Sequence, residues 1–526
     1  MSRQKQGDAA PSREADTALS SSHRVLIVNA YFNPWRKSTP TRWFIPRAMA
    51  PFYLAGHFDR DRVDVRVWDE VFDGALLDPR LYAWPDLVVF TGLTSAFDRA
   101  HQLSAYFRHA NPAVATAIGG PIARALPALC AETFDYVSQG DVEDVADIVR
   151  DVFGADCVSE TGSPRFDLAR PSMGVGYLET TKNCNFACSF CSLTGERRAY
   201  TAHSDQSIER QLDAMQNVLG VMVLDNNFYG NSRSSFRHRV ELIGERWRRG
   251  QFRGWGALVT GDFFKRPENV ELMARNGCKA VFSGVETLDP AVLKTFNKKQ
   301  SLMSDPRALT RLCADHGMFF DYGMIADFSQ QTVAQVEEQL TGVLNDHTIP
   351  LPSLLTLTIP ILGTPYFDAA ARDGRLMPNV SLSDLDGQKI VEWPKEPLEK
   401  VVPYVADLLR FRGRKRALAR HAFRHAWHWR RQFDWDQTAL ALIRPLHRFG
   451  GSIDVNLGSL RQMRQSFREA PLTYCAMTDR PRSFYTPQMP MPAKFEKCFT
   501  PLRVTDAEGA LTDTIQKARE RALAAA

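Results

Sequence analysis

The sequence predicts an α/β protein built as two successive strand–helix series followed by a mainly helical extension. Three observations carry that expectation. Residues 24–153 alternate short apolar runs with helical patterns, and residues 173–375 do so again with six strand signals. Three cysteines then fall directly after the first strand of the second series, at Cys184, Cys188 and Cys191. Strands separated by helix-length segments run parallel, because the chain must cross back before it can pair again.

In the first series the expected strands are 24–30 (RVLIVNA), 63–68 (VDVRVW), 87–91 (LVVFT), 114–118 (VATAI) and 136–138. Helical spacing is read near 46–57, 97–109, 122–132 and 143–153. The pattern is that of a doubly wound, Rossmann-like sheet. Small residues sit past the strand ends, at Thr91–Gly92, Gly119–Gly120–Pro121 and Gly140. Ligands of open α/β sheets bind at those carboxyl ends. In the second series the expected strands are 175–180, 221–225, 254–260, 280–285, 319–325 and 354–360, a partial or full (β/α) barrel. Reactive groups of such barrels come from loops at the C-terminal face, where the cysteines lie. The boundaries follow as a disordered tail (1–22), a first α/β domain (23–153), a Gly/Ser/Pro/Asp-rich linker (154–172), the barrel (173–375) and a C-terminal extension (376–526).

Composition bounds the function. The chain has 526 residues, 44% of them apolar and 24% charged, with a net charge of +5, so no nucleic-acid partner is expected. Nine cysteines, scattered singly outside the triplet, read as reduced and cytoplasmic. The polar first 22 residues lack the apolar core of a signal peptide. No run approaches the length of a membrane span, so any lipid contact would be peripheral.

The triplet reads Cys184–Asn185–Phe186–Ala187–Cys188–Ser189–Phe190–Cys191, a C-x3-C-x2-C spacing with an aromatic before the third cysteine. Structural zinc and most iron–sulfur sites use four ligands. Three close thiolates without a fourth can hold a cubane whose last iron is open to a small molecule. A zinc knuckle is the plainer alternative, and its nearest fourth ligand would be His203.

On these residues the chain resembles the radical S-adenosylmethionine (SAM) enzymes, and among them the class with an N-terminal cobalamin-binding domain, over roughly residues 24–375. The resemblance implies a 4Fe–4S cluster on Cys184, Cys188 and Cys191, with SAM chelating the open iron and Phe190 beside the adenine. Asp225 and Asn226 stand where many members bind the SAM amino group; a strand-ending turn is the plainer reading. Glu286, in the run Ser283–Gly284–Val285–Glu286–Thr287, matches the position whose carboxylate accepts from the SAM ribose. The fifth strand departs from the family's Gly-x-Ile-x-Gly, reading Gly323–Met324–Ile325–Ala326–Asp327. Cobalamin would lie on Thr91, Thr94, Ser95, Gly119 and Gly120. The run after the first strand, Asn29–Ala30–Tyr31–Phe32–Asn33–Pro34–Trp35, holds no histidine for an axial ligand. No catalytic acid or base is named.

The resemblance implies a cobalamin-dependent C-methyltransferase acting on an unactivated carbon of a small-molecule or lipid substrate. It would draw electrons from an external donor of the flavodoxin or ferredoxin type. A cyclase or oxidative rearrangement enzyme with the same cofactors, and a non-catalytic cluster- or cobalamin-binding regulator, are the alternatives. Residues 410–448 carry a net charge of +9 with interleaved Phe411, Phe423, Trp427, Trp429 and Phe433. They read either as a helix packed on the barrel with a solvated basic face or as a docking face for an anionic reductase, phosphorylated substrate or lipid surface. His421, His425 and His428 on that helix read as packing residues rather than metal ligands.

Overall fold

The computed structural model describes residues 23–31, 48–449 (except 71, 170–173, 197, 216, 302–304, 388 and 411–413), 474–475 and 489–524. The tail 1–22, the run Phe32–Trp35 and the side chain of Cys475 lie outside the described residues.

Five parallel strands form the first sheet: β1 (His23–Asn29), β2 (Val63–Asp69), β3 (Leu87–Thr91), β4 (Ala115–Ile118) and β5 (Tyr136–Val137). Their order is β2-β1-β3-β4-β5. The chain leaves β1 toward one edge and returns at β3 toward the other, so a crevice opens beyond the carboxyl ends of β1 and β3. Val25 to Val28 and Leu87 to Phe90 are buried because helices cover both faces.

The second sheet holds β6 (Val175–Leu178), β7 (Gly220–Val223), β8 (Gly254–Val259), β9 (Cys278–Glu286), β10 (Phe319–Ala326) and β11 (Leu354–Leu357). They pair in sequence order, all parallel, as an open half-barrel. A core of Val223, Phe228, Phe236, Trp255, Phe263, Val281 and Tyr322 fills one side of it. The α/β class, the two series and the helical extension are therefore as the sequence predicts.

Several element bounds differ. The helix expected at 122–132 is two short ones, Pro121–Ala125 and Pro127–Ala131, because Pro127 cannot donate into a continuous helix. The helix expected at 46–57 is described over Ala50–Ala55, and the one at 143–153 begins as a 3-10 turn, Val142–Asp144. A helix at Pro79–Ala83, capped by Asp78, escaped the reading because it is a single turn. In the extension, Leu398–Arg410, Lys415–His428 and Trp435–Phe449 are helices, and Ala493–Phe499 is a 3-10 helix. Among the described residues no helix is long and apolar enough to cross a membrane.

Candidate functional site

The cysteine loop leaves β6 at the carboxyl end of the half-barrel. Thr180 opens it and is held by Asp225 at the end of β7, which accepts from Thr180 N at 2.6 Å and Thr180 Oγ1 at 2.5 Å. Asp225 is wholly buried, and burial pushes its carboxyl up against the pull of those donors. Its geometry is that of a tether between neighbouring strand ends. Asn226 is exposed. Asn227, which the sequence did not single out, is buried, donates to Asn185 Oδ1 at 2.7 Å, and leaves its own Oδ1 without a partner.

Asn183 takes a left-handed backbone at φ 62° to turn the chain into Cys184. The loop is then fixed from the far side by the segment after the helix Pro290–Thr295. Asn297 Nδ2 donates to Ala187 O at 2.8 Å, Ser189 Oγ to Thr295 O at 3.0 Å, and Ser189 N to Phe296 O at 3.0 Å. Cys188 is buried and accepts from Gln300 Nε2 at 3.3 Å, while Cys184 and Cys191 are half-exposed. Burial pushes the Cys184 thiol up and the Cys191 thiol up to about 11, and the neighbouring cysteines add to both shifts, so the sulfurs share one electrostatic environment. His203 is engaged elsewhere, with Nε2 3.1 Å from Glu179 Oε2. Among the described residues no three His, Cys, Asp or Glu side chains close on a single ion. The donor set of three thiols and no fourth fits a cluster with an open iron.

Glu286 ends β9 with φ 64°, a region that costs a non-glycine residue about 1–2 kcal/mol. The register with β10 slips between Gly284 and Glu286, which re-aims the carboxylate. Glu286 pairs with Lys298, whose ammonium also sits 5.8 Å from the Phe190 ring centroid and lowers the thiol pKa values of Cys184 and Cys191. Gly284 makes room, since a Cβ there would lie 2.2 Å from Glu286 Oε1 and 2.6 Å from Lys298 Nζ. Cys184, Cys191, Phe190 and Glu286 thus converge around Lys298. Lys298 was missed by sequence reasoning because nothing in its spacing ties it to the cysteines.

Below Phe190 lies a buried polar network. Phe190, Phe296 and Tyr366 pack in series, tilted and then edge to face, at 4.8 and 6.0 Å, and Tyr366 N donates to Ser189 O at 3.0 Å. The Tyr366 hydroxyl sits 2.9 Å from Asp327 Oδ2 and 3.0 Å from Glu392 Oε2. Arg375 pairs with Glu392 Oε1 at 2.5 Å, and Ser329 donates twice to Asp327 Oδ1. Burial and the neighbouring carboxylate push Glu392 up to about 8, and burial pushes Asp327 up as well. A tyrosine hydroxyl has one hydrogen, so one of its two carboxyl contacts must be donated by a protonated acid.

The first sheet presents its crevice to this loop. Gly92 and Gly120 approach closely, and Gly120 has φ 89°. At Gly119 a Cβ would meet nothing nearer than 3.8 Å, so the backbone there is open to a bulky neighbour. Thr91 is half-buried. Thr94 and Ser95 are buried and pack against Leu382–Asp384 of the extension, so their side chains are covered by protein, not presented to the crevice. The glycine backbone at Gly119 and Gly120, beside half-buried Thr91, fits a cobalamin cradle; Thr94 and Ser95 fit it less well.

Ion pairs stitch the two carboxyl ends together. Asp141 accepts from Arg198 at 2.5 and 2.7 Å and lies 3.4 Å from both Lys182 and Arg124. Burial alone would raise the Asp141 carboxyl, yet these cations hold it below its ordinary range. Lys182 also reaches Glu143 at 2.6 Å, and Arg124 reaches Glu196 at 2.6 Å. Lys182, Glu196 and Arg198 flank the cysteines, while Arg124, Asp141 and Glu143 follow β4 and β5. Tyr53 adds a bond to Gln211 at 2.5 Å.

The chain is similar to known proteins in sequence and in fold. Residues 178–324 match the model of the radical SAM superfamily. The chain is 28% identical over 388 residues to the hopanoid C-2 methylase of Rhodopseudomonas palustris, covering 68% of this chain and 71% of that one. It is 27% identical over 192 residues to the bacteriochlorophyllide d C-12(1)-methyltransferase of Chlorobaculum tepidum, covering 36% and 41%. Among solved structures it is similar in fold to the radical SAM methyltransferase TsrM of Kitasatospora setae, at TM-score 0.52 and 16% identity over 72% of this chain and 82% of that one. A cobalamin-dependent radical enzyme, OxsB, gives TM-score 0.52 at 13% identity over 88% and 82%.

Proposed function

We propose that this chain, which belongs to the radical SAM superfamily and to its class with an N-terminal cobalamin-binding domain, is a C-methyltransferase acting on a carbon of a small-molecule or lipid substrate. The observation that carries the reading is the stitching of the three-cysteine loop to the carboxyl end of the first sheet through Asp141, Glu143 and Glu196. Bound at these two sites, the cluster and SAM would supply hydrogen abstraction and cobalamin would supply the methyl group.

In this reading Cys184, Cys188 and Cys191 hold the cluster and Lys298 tempers the charge around it. Glu286 accepts from the SAM ribose and Phe190 flanks the adenine. Asp225 holds Thr180, and so the start of the cysteine loop, in place; Asn226 is left free to reach SAM. Thr91, Gly119 and Gly120 line the cobalamin side, with Thr94 and Ser95 supporting the turn from behind. The relatives named above methylate C-2 of a hopanoid and C-12(1) of a bacteriochlorophyllide, which favours a ring-bearing skeleton here. The electron comes from an external donor of the flavodoxin or ferredoxin type, and sparse unpaired cysteines suit the reducing cytoplasm where such donors work.

The test is anaerobic incubation of the cluster- and cobalamin-loaded protein with SAM, a reductant and candidate ring lipids or tetrapyrroles. Expected are 5′-deoxyadenosine, S-adenosylhomocysteine and a product heavier by one methylene. Deoxyadenosine without any S-adenosylhomocysteine would sink methyl transfer, and absence of both would sink the radical reading.

A further inference from the structure

The helix Lys415–His428 packs inward through Leu418, Ala422 and Ala426, yet its largest apolar rings face outward. Its inward face carries histidines. His421 places Nδ1 3.0 Å from Leu344 O and Nε2 2.9 Å from Ile349 O, and His425 Nδ1 lies 3.0 Å from His347 O. Its outward face carries the large apolar rings. Phe423 is 62% and Trp427 59% exposed, stacked on one another, and Trp435, which opens the next helix, is 76% exposed. Around them stand Arg416, Arg420, Arg424, Arg430 and Arg431, all exposed, with the Arg430 guanidinium 4.3 Å over the Trp427 ring. The two nearby acids are already engaged, Asp434 with Lys279 and Asp436 with Arg253.

We propose that this arginine–aromatic face docks on an anionic lipid surface. Phenylalanine and tryptophan rings enter the boundary between headgroups and acyl chains, while arginines beside them meet the negative headgroups. A second copy of the same face would bring arginine against arginine. A reductase is disfavoured by position. The helix covers the loop His347–Ile349 and, through His425, the start of β10 at Phe319, with ring centroids 6.2 Å apart. The cysteines lie at the other end of the strands, and β10, with eight residues, spans roughly 26 Å at about 3.3 Å per residue. Electron tunnelling falls off exponentially with distance, so a donor seated here would be badly placed. A membrane so docked leaves the mouth of the half-barrel open. The inference stands apart from the reaction assigned above.

The experiment is co-sedimentation of the full-length loaded protein with vesicles of equimolar phosphatidylglycerol and phosphatidylcholine, against phosphatidylcholine alone, at low and high salt. Expected are binding to the anionic vesicles, weakening with salt, and a blue shift of tryptophan emission. R420Q/R424Q should bind about 30-fold more weakly, from roughly fivefold per basic residue at an anionic surface. F423S/W427S should bind weakly at any salt while keeping the wild-type circular dichroism and deoxyadenosine formation. No binding to anionic vesicles, or binding untouched by both variants, overturns the proposal. So does saturation of this face by an acidic flavodoxin while vesicles leave it free.

Discussion

Asp327→Asn is the most discriminating substitution available near the cysteine loop. In the wild type, Asp327 and Glu392 face one Tyr366 hydroxyl and one Arg375, so two buried carboxyls share a single cation and hold one proton. Glu392 rises from 4.5 to about 8. Below about pH 4.5 both folded and unfolded chains carry that proton. Between 4.5 and 8 only the folded chain does, so folding stability falls as pH rises, by about 1.4 kcal/mol per pH unit. Across the window the loss approaches about 5 kcal/mol, and it is complete above the folded value. The introduced amide would mimic the protonated acid. Its carbonyl oxygen would keep the Ser329 donors, its NH2 group would donate to the Tyr366 oxygen, and Tyr366 would donate to an ionised Glu392 paired with Arg375. Every group stays bonded and the charges balance. Denaturant midpoints of both proteins at pH 6, 7 and 8 give the answer, because other titrating groups are common to both. The variant should lose ground to the wild type at pH 6 and overtake it by pH 8. Parallel pH dependences would refute the shared proton.

Single substitution of Cys184, Cys188 or Cys191 by Ala should abolish bound iron and deoxyadenosine formation while leaving the fold, read by circular dichroism, intact. Glu286→Gly and Glu286→Ala should both weaken SAM binding roughly 10- to 100-fold, the cost of one hydrogen bond to a charged group. The glycine variant should be the more stable by about 1 kcal/mol, because φ 64° strains alanine and not glycine. Gly119→Ala should fold normally yet retain less corrinoid after reconstitution, whereas Gly120→Ala, at φ 89°, should also lower the melting temperature. Asp141→Ala, which takes from Arg198 its carboxylate partner and leaves Lys182 on Glu143 and Arg124 on Glu196, should cost about 1–3 kcal/mol of stability. It should also depress methylated product more than deoxyadenosine, measured in the same reaction.

The strands were legible because they are buried on both faces and so read as apolar runs, unbroken in Leu87–Phe90 and interrupted by Asp321 and Gly323 in Phe319–Ala326. The cysteine loop was legible because its ligands are local: three thiols in eight residues need no long-range pairing to be seen. Glu286 was singled out by the resemblance of its Ser-Gly-Val-Glu run, and the structure sets it against Lys298. What spacing cannot reveal is which distant segment covers or pairs a residue. Thr94 and Ser95 look open in sequence, yet Leu382–Asp384 closes over them. Asp225 looks like a free strand-end acid, yet Thr180 occupies it. Lys298 and Glu392 carried no signal, since each gains meaning only from partners on other elements of the fold.

The basic helix teaches the converse. Its composition favoured a packed helix over a docking face without excluding the second, because amphipathicity fixes two faces without saying which turns inward. Backbone carbonyls at Leu344, His347 and Ile349 fix which face turns inward. They are acceptors at the end of a half-barrel, and an apolar ring laid over them would bury them unpaired, at a cost of about 1–3 kcal/mol each. Histidine nitrogens satisfy them, so His421 and His425 turn inward and Phe423 and Trp427 are left outside. The exposed aromatic face is thus a consequence of satisfying polar groups beneath the barrel. Replacing both histidines by leucine should therefore destabilise the fold despite added apolar volume.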